Sequence, residues 1–363
     1  MRRIFGVTDD FYAEVLDLLD TTWANRDSFY LPEIEKLVGK LGRIAQAYRP
    51  LYHLMPQLYA SIAYALRENK FYLASTSRSF RKMVKKAKKA EIPEDGVDER
   101  EIKFAVRVVA KKIHSARVQY RIPPTLKAEL ELVKRLLRDN TIPLSTFIGH
   151  IVPCKEDIES GADASKKAGG GWCIDLLFWW HIVWPEDIYL RACLPNNRHG
   201  DYVSINALEM VCVIINFAAV IYYCDLDGVD MNTHPLLNNW CDSKSACAWV
   251  NKRCKHSMIG RQLGKFFVGL LMSTKLGIQA EWLESELNKI ADDISRLTPD
   301  DGEYDYSQLL VDHPVLQPCR QFQPSDTLLS SLWNILRLKD SPDPLILRKL
   351  KPSALGSSIS LDL

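Results

Sequence analysis

The clearest fold signal in the chain is Gly161-Ala-Asp-Ala-Ser165, followed after three residues by Gly169-Gly-Gly-Trp-Cys-Ile-Asp-Leu-Leu-Phe-Trp-Trp180. Short apolar runs that are interrupted by glycines predict β-strands joined by a tight turn. The change in residue pattern near residue 150 therefore marks the start of a sheet-forming region.

The residues that follow predict helices alternating with strands. A long buried helix is expected over 204–223, a strand over 236–241 that ends at Asp242, and an apolar-striped helix over 257–276. A strand over 277–283 and an amphipathic helix over 284–297 complete the series. This order predicts an α/β fold, in which helices flank a mixed sheet.

The remaining chain predicts three further regions around this domain, which we place at 151–298. Residues 1–95 are expected to be mostly helical, because apolar residues recur at three- and four-residue steps through Ile34, Leu37 and Leu41. Residues 96–150 are expected to form a helical tether, with helices near 102–115 and 125–139. Residues 299–363 contain seven prolines and many serines, which predicts a loosely structured tail with one short helix over 328–338.

Composition restricts the cellular setting more than the function. The 47 basic and 45 acidic residues nearly cancel, so net charge does not indicate a nucleic-acid partner. Nine cysteines without a Cys-x-x-Cys pair and no secretory signal predict an intracellular protein, cytoplasmic or nuclear and not secreted. The apolar run from Met210 to Cys224 is shorter than the roughly 20 residues of a membrane span and contains Asn216, so a buried helix and no membrane association are expected.

Four acidic residues from four predicted elements lie at element ends or within apolar segments: Asp163, Glu209, Asp242 and Asp292. An ionised carboxylate in apolar surroundings is costly unless it has a partner or a metal. If the four converge, their hard oxygen ligands favour Mg²⁺ or Mn²⁺, and two such ions suit phosphodiester hydrolysis. The alternative is that these residues are ordinary caps and turns at element ends.

The sequence around each carboxylate resembles one known family. The four segments are, in chain order, Asp163-Ala-Ser-Lys-Lys-Ala-Gly-Gly-Gly-Trp172, Ile205-Asn-Ala-Leu-Glu209, Trp240-Cys-Asp-Ser-Lys-Ser-Ala-Cys-Ala-Trp249 and Asn288-Lys-Ile-Ala-Asp-Asp-Ile-Ser-Arg296. Over about residues 150–300 they resemble the ribonuclease H-like domains of retroelement reverse transcriptases of the LTR or DIRS type.

The resemblance implies a mixed five-stranded sheet, with a glycine-rich turn into its second strand, and hydrolysis of the RNA strand of RNA–DNA hybrids by two metal ions. By that resemblance Asp163 bridges both metals, Glu209 and Asp242 hold one, and Asp292 holds the other. Asp293 is adjacent, but the Ala-Asp-x-x-Ser-Arg pattern favours Asp292.

A second resemblance lies near the N-terminus. The segment Ile34-Glu-Lys-Leu-Val-Gly-Lys-Leu-Gly-Arg-Ile-Ala-Gln-Ala-Tyr-Arg-Pro50 is similar to the thumb helix of reverse transcriptases. A helical glycine costs about 1 kcal/mol relative to alanine, so we expect either close helix packing or a backbone contact with a duplex there. No aromatic-x-Asp-Asp hairpin of a polymerase palm precedes Ile34. We therefore expect no polymerase activity, and upstream polymerase domains of the same element as partners.

A basic run and two serines are candidate nucleic-acid contacts. The run supplies Arg78, Arg81, Lys82, Lys85, Lys86, Lys88 and Lys89, and the serines are Ser165 and Ser243 beside two of the acidic residues. Phosphate contacts would make binding salt-dependent, whereas the alternative is a solvated helix face. The alternative function is a catalytically silent nucleic-acid-binding or structural remnant of a reverse transcriptase.

Overall fold

A computed structural model describes residues 4–76, 119–139, 145–150, 157–195, 202–252, 254, 257–297, 306–339 and 343–359. The chain divides into two compact units. The helical unit comprises Gly6–Ala47 and Gln57–Leu144, and the sheet unit comprises Met1–Phe5, Tyr48–Pro56 and Ser145–Leu363. The predicted boundary at residues 95 and 96, the predicted helix over 102–115 and the basic run 78–89 lie outside the described residues.

The first part of the chain is mostly helical, as the sequence predicts. Its elements are β1 (Ile4–Gly6), α1 (Asp9–Asp17), β2 (Ser28–Tyr30), α2 (Leu31–Ala47), α3 (Met55–Thr76), β3 (Gln119–Arg121), α4 (Pro124–Arg138) and β4 (Ser145–Phe147). The sequence assigned α4 to a separate tether, but the structure groups it with α1 and α2 in the helical unit. The short strand β3, which pairs with β2, brings this part of the chain back to the N-terminal region.

Helix α2 buries one apolar face, and its two glycines, Gly39 and Gly42, lie outside that face. Ile34, Leu37 and Leu41 are at most 2% exposed, and their spacing is that of one helix face. No atom of the described residues lies within 4 Å of where a side chain at Gly39 or Gly42 would begin. Close helix packing, one of the two explanations expected for these glycines, is therefore not found there.

The second part of the chain alternates strands and helices. Its elements are β5 (Ile158–Ala164), β6 (Ala168–Cys173), β7 (Phe178–Val183), α5 (Glu186–Cys193), α6 (Ile205–Leu226), β8 (Leu236–Cys241), α7 (Lys244–Asn251), α8 (Met258–Ser273), β9 (Gly277–Trp282), α9 (Lys289–Ser295), α10 (Ser307–Asp312), β10 (Arg320–Pro324), α11 (Asp326–Leu336), α12 (Pro344–Leu347) and β11 (Gly356–Ile359).

The sheet has seven strands in the order β11-β10-β7-β6-β5-β8-β9. Strands β5, β6 and β7 are antiparallel to one another, whereas β8 and β9 run parallel to β5. The α/β class with a mixed sheet and helices is thereby confirmed. The predicted count of five strands was too low, because β10 pairs in parallel with β7 and β11 pairs with β10.

The two additional strands come from the segment that the sequence analysis described as a loosely structured tail, and that description was wrong. Several prolines and serines of this segment begin helices. The Ser325 hydroxyl caps α11 by accepting from the N–H of Leu328 at 3.2 Å, and Pro344 is the first residue of α12. The pairing edge of β7 is distant in sequence, so composition alone cannot reveal it.

The core of the sheet unit surrounds helix α6. This helix is long and apolar enough to span a membrane by composition, but 94% of its most apolar stretch is buried within the structure. Its fully buried amide, Asn216, accepts from Trp180 Nε1 at 2.9 Å and donates to Asn239 Oδ1 at 2.8 Å. A buried polar group needs such partners, and these partners tie α6 to strands β7 and β8.

The glycine run lies within β6, not in the turn that the resemblance implies. The turn is formed by Ser165, whose N–H donates to the carbonyl of Ala168 at 2.9 Å. A side chain at Gly169 would approach Cys212 of α6 to 2.5 Å, whereas a side chain at Gly170 would overlap Ile294 of α9. Successive strand residues face opposite sides, so the glycines allow one helix to approach each face of the sheet.

Candidate active site

The four predicted carboxylates line one cleft at the carboxyl ends of parallel strands β5 and β8. Asp163 lies near the end of β5, Asp242 directly follows β8, Glu209 lies near the start of α6, and Asp292 lies on α9. The cleft has a volume of about 710 Å³ and is also lined by Ala164, Ser165, Lys166, Ile205, Asn206, Ser243, Lys244, Ser245, Trp282 and Arg296. The carboxyl edge of parallel strands is where ligands bind in many α/β folds.

Asp163 is buried and is held in place by helix α9. Asp163 is 4% exposed, and its Oδ2 accepts a 2.6 Å hydrogen bond from Ser295 Oγ. Burial raises the pKa of Asp163 to about 6, and the negative charges of Asp242 and Asp292 act in the same direction. The Ser295 hydrogen bond opposes this rise, because it stabilises the ionised form.

Glu209 is the most deeply buried of the four carboxylates. It is 2% exposed, and burial raises its pKa well above the ordinary value, reinforced by the charges of Asp163 and Asp242. The Cys241 thiol donates to Glu209 Oε2 at 3.5 Å, and the N–H of Ala164 also bonds to the carboxylate. These contacts fix the direction of the glutamate from both strands that border the cleft.

The segment after β8 is made rigid by local hydrogen bonds. Ser243 Oγ accepts from the N–H of Ala246 at 3.2 Å, which caps α7, and donates to Asn206 Oδ1 at 2.9 Å. Trp282 Nε1 donates to the carbonyl oxygen of Asp242 at 2.9 Å. The main chain at Asp242 is therefore held in place by Trp282 and by the hydrogen bonds of the adjacent Ser243.

The contacts made by helix α9 and its flanking residues account for the spacing of the Asn288–Arg296 motif. Asn288 Nδ2 donates to the carbonyl of Ala162 at 3.3 Å, and Arg296 Nε pairs with Asp292 Oδ1 at 2.6 Å. Asp293 instead lies 2.7 Å from His313 Nε2 and does not line the cleft. The choice of Asp292 over Asp293 therefore agrees with the geometry of the cleft.

The donor set fits hard divalent cations. All four predicted residues offer carboxylate oxygens, which Mg²⁺ and Mn²⁺ prefer. Among the described residues, no lysine or arginine lies within ion-pair distance of the two buried carboxylates, Asp163 and Glu209. Each would gain from a cation, because buried like charges otherwise oppose ionisation.

One buried neighbour of the carboxylates, Cys241, was not predicted from the sequence as part of the site. Glu209, Cys241 and Asp242 form a group that could hold a metal ion, with ligand atoms that all lie within 4.8 Å of one another. Asp163 and Asp292 are not part of this group. The pKa of Cys241 is raised, first by its hydrogen bond with Cys247 and then by burial, so this thiol acts as a hydrogen-bond donor to Glu209.

The predicted nucleic-acid contacts are only partly described. Ser165 and Ser243 line the cleft, but both hydroxyls have internal partners: Ser165 Oγ donates to the carbonyl of Ser295 at 2.7 Å. The sequence analysis did not select the rim residues Lys166, Asn206, Lys244, Trp282 and Arg296. Motif position was the available signal for four of them, since Lys166, Asn206, Lys244 and Arg296 lie within the quoted motifs.

Comparisons of the chain with protein-family models, curated proteins and solved structures found no match.

Proposed function

We propose that the sheet unit is a ribonuclease H-like, metal-dependent endonuclease that hydrolyses the RNA strand of RNA–DNA hybrids. The observation that carries the proposal is the position of Asp163, Glu209, Asp242 and Asp292 on one cleft, since each comes from a different element. Asp residues that served only as turns or caps would have no reason to share a cleft with a buried glutamate.

The sheet supports the same proposal. Strands β7-β6-β5-β8-β9 are contiguous and contain both parallel and antiparallel pairs, which fits the mixed five-stranded sheet that the resemblance implies. Strands β10 and β11 extend this sheet beyond β7, on the side away from the carboxylates of β5 and β8. The extension therefore leaves the cleft free for substrate.

Asp163, Glu209, Asp242 and Asp292 would hold two Mg²⁺ or Mn²⁺ ions. When bound, such ions lower the pKa of the attacking water and stabilise the leaving oxygen. The protein's own contribution is orientation: Ser295 directs Asp163, while Cys241 and Ala164 direct Glu209. Arg296 neutralises Asp292 in the metal-free cleft.

The charge distribution in the cleft suits a polyanionic substrate. Lys166, Lys244 and Arg296 are exposed on a rim that surrounds the acidic floor. Cations on the rim would bind phosphates without reading sequence. Discrimination between RNA and DNA would then depend on the 2′-hydroxyl and on groove shape.

The test is cleavage of end-labelled RNA–DNA hybrid by the purified protein with Mg²⁺, with duplex DNA, duplex RNA and single-stranded RNA as comparison substrates. We expect cleavage of RNA in the hybrid alone, leaving a 3′-hydroxyl and a 5′-phosphate, and loss of cleavage by orders of magnitude in Asp163→Asn. Mg²⁺ should also raise the Tm of the wild type but not of Asp163→Asn. Tight hybrid binding without cleavage in Mg²⁺ or Mn²⁺ would instead favour a catalytically silent remnant.

A further inference from the structure

Trp282 is the exception among the tryptophans of this chain. All nine tryptophans lie among the described residues. Trp282 has 41% of its surface exposed, whereas the other eight are buried or half-buried. It is the last residue of β9 and lines the cleft. A large aromatic surface left in contact with solvent beside a functional cleft is a common feature of binding sites.

The indole of Trp282 is fixed in place although it is exposed. Its Nε1 donates to the carbonyl of Asp242 at 2.9 Å, and Trp282 lies opposite Cys241 in the β8–β9 pairing. The ring is thereby tied to the peptide of a proposed metal ligand. A rigid aromatic surface loses little conformational entropy when a ligand packs against it.

Lys244 lies over the same ring and has a charge that is not used internally. Its Nζ is 3.9 Å from the centre of the Trp282 ring. No carboxylate in the described part of the chain lies within ion-pair distance of Lys244, in contrast to Arg296, which pairs with Asp292. A cation held by a ring rather than by an acid remains available for a phosphate.

We propose that Trp282 and Lys244 form a subsite that positions the sugar–phosphate backbone of one nucleic-acid strand, with the indole against a sugar and the ammonium group on a phosphate. A sugar is favoured over a base because the bases of a hybrid are stacked inside the helix, whereas the shallow minor groove exposes the sugars. The inference rests on the proposed function and adds to it the residues that hold the strand beside Asp242. Both residues act by positioning, since neither belongs to the proposed metal ligands.

The first experiment measures binding in the Asp163→Asn background with a fluorescent hybrid and anisotropy. Trp282→Ala should weaken binding roughly tenfold, since the variant loses the packing of the indole ring against the sugar. Lys244→Ala should reduce the slope of log affinity against log salt by about one unit. The control is Trp240→Phe on neighbouring β8, whose indole donates to Glu159 and does not line the cleft, and it should bind within about twofold of the parent protein.

A second measurement does not depend on how well the alanine variant folds. In full-length protein labelled with fluorotryptophan, Trp282→Phe and Trp240→Phe assign the two ¹⁹F resonances. Addition of hybrid should shift the Trp282 resonance and leave the Trp240 resonance in place. An unmoved Trp282 resonance, or unchanged affinity in Trp282→Ala, would overturn the subsite.

The two proposals fail in different ways. If the wild type does not cleave hybrid but its Trp282 resonance shifts on binding, the subsite stands and the hydrolytic function fails. If the wild type cleaves hybrid and Trp282→Ala retains the wild-type KM and kcat, the subsite fails and the function stands. A positioning role predicts a higher KM or lower kcat in Lys244→Ala with an unchanged Mg²⁺-dependent rise in Tm, because Lys244 contacts the Trp282 ring and not a proposed metal ligand.

Discussion

Ser295 Oγ donates a 2.6 Å hydrogen bond to Asp163 Oδ2, which joins helix α9 to the end of strand β5. The two residues are 132 positions apart in sequence, and both are buried. Because Asp292 lies on the same short helix, this bond also fixes the distance between two of the proposed metal ligands. The geometry of the site therefore depends on a hydroxyl that binds no metal.

Ser295→Ala tests that dependence. In metal-free protein, loss of the hydrogen bond should raise the pKa of Asp163 above about 6, because the bond favours the ionised carboxylate. Protons should then compete more strongly with Mg²⁺, so cleavage at a fixed Mg²⁺ concentration should fall off at a higher pH than in the wild type. Unfolding in urea should show a loss of about 1–3 kcal/mol. Ser273→Ala is the matched control, since Ser273 makes the same hydrogen bond to a carbonyl three residues back but contacts no carboxylate. Equal pH profiles for the two variants would remove Ser295 from the site.

Asp163→Asn should change how stability depends on pH in metal-free protein. The carboxyl titrates near 3.8 in the unfolded chain and near 6 in the folded one, so the folded state retains a proton that the unfolded state releases. Stability should therefore fall as pH rises from about 4 to about 6, by on the order of 3 kcal/mol for this group alone. Asparagine can still accept the hydrogen bond from Ser295, but it does not titrate. Asp163→Asn should therefore not show this loss of stability.

Urea denaturation of both proteins across that pH range, with a chelator present, measures the difference. Asp187→Asn is a suitable control, because its hydrogen bond with Arg337 lowers the pKa of Asp187 and gives a dependence of opposite sign, lost at lower pH. If the wild type and Asp163→Asn lose stability in parallel between pH 4 and 6, Asp163 is not the titrating group.

Gly170→Ala should displace helix α9. The added methyl would overlap the side chain of Ile294 and lie 3.0 Å from the N–H nitrogen of Ser295. We expect a loss of about 2 kcal/mol in stability and a fall in cleavage, because α9 carries Asp292. Gly39→Ala is the control: it meets no atom within 4 Å and lies in a helix, so it should be neutral or gain up to about 1 kcal/mol. Wild-type stability and cleavage in Gly170→Ala would show that α9 does not require this close approach.

Asn216→Ala should destabilise the sheet unit from within its core. Trp180 Nε1 and Asn239 Oδ1 would both lose a buried partner, at a cost of about 3 kcal/mol for the network. Asn232→Ala, at an exposed position that bonds Lys275, should change stability by less than about 0.5 kcal/mol. Thermal and urea unfolding of both variants provide the measurement, and equal effects would mean that the Asn216 network adds no stability beyond a surface contact.

Features that depend on residues close together in the chain could be predicted from the sequence. The period of apolar residues predicted α6 and the strand that ends before Asp242, since both reflect burial of one continuous segment. The four carboxylates were selected by motif, and all four line the cleft. Asp292 and Arg296 have the four-residue spacing of neighbours on one helix face, so their contact follows from the predicted helix. The contact of Ser295 with Asp163 could not be inferred from spacing, because the two residues are 132 positions apart.

Only the tertiary structure decided which distant segments meet. Strand β10 pairs with β7 although 136 residues lie between the two strands in the sequence. The composition of the C-terminal segment had suggested a loose tail. Trp282 lines the cleft because β9 lies beside β8, and the need for glycines in β6 is explained only by the approach of Cys212 and Ile294. Local periodicity records whether a residue is buried, whereas the identity of its neighbour depends on strand order and helix approach, which no single segment encodes.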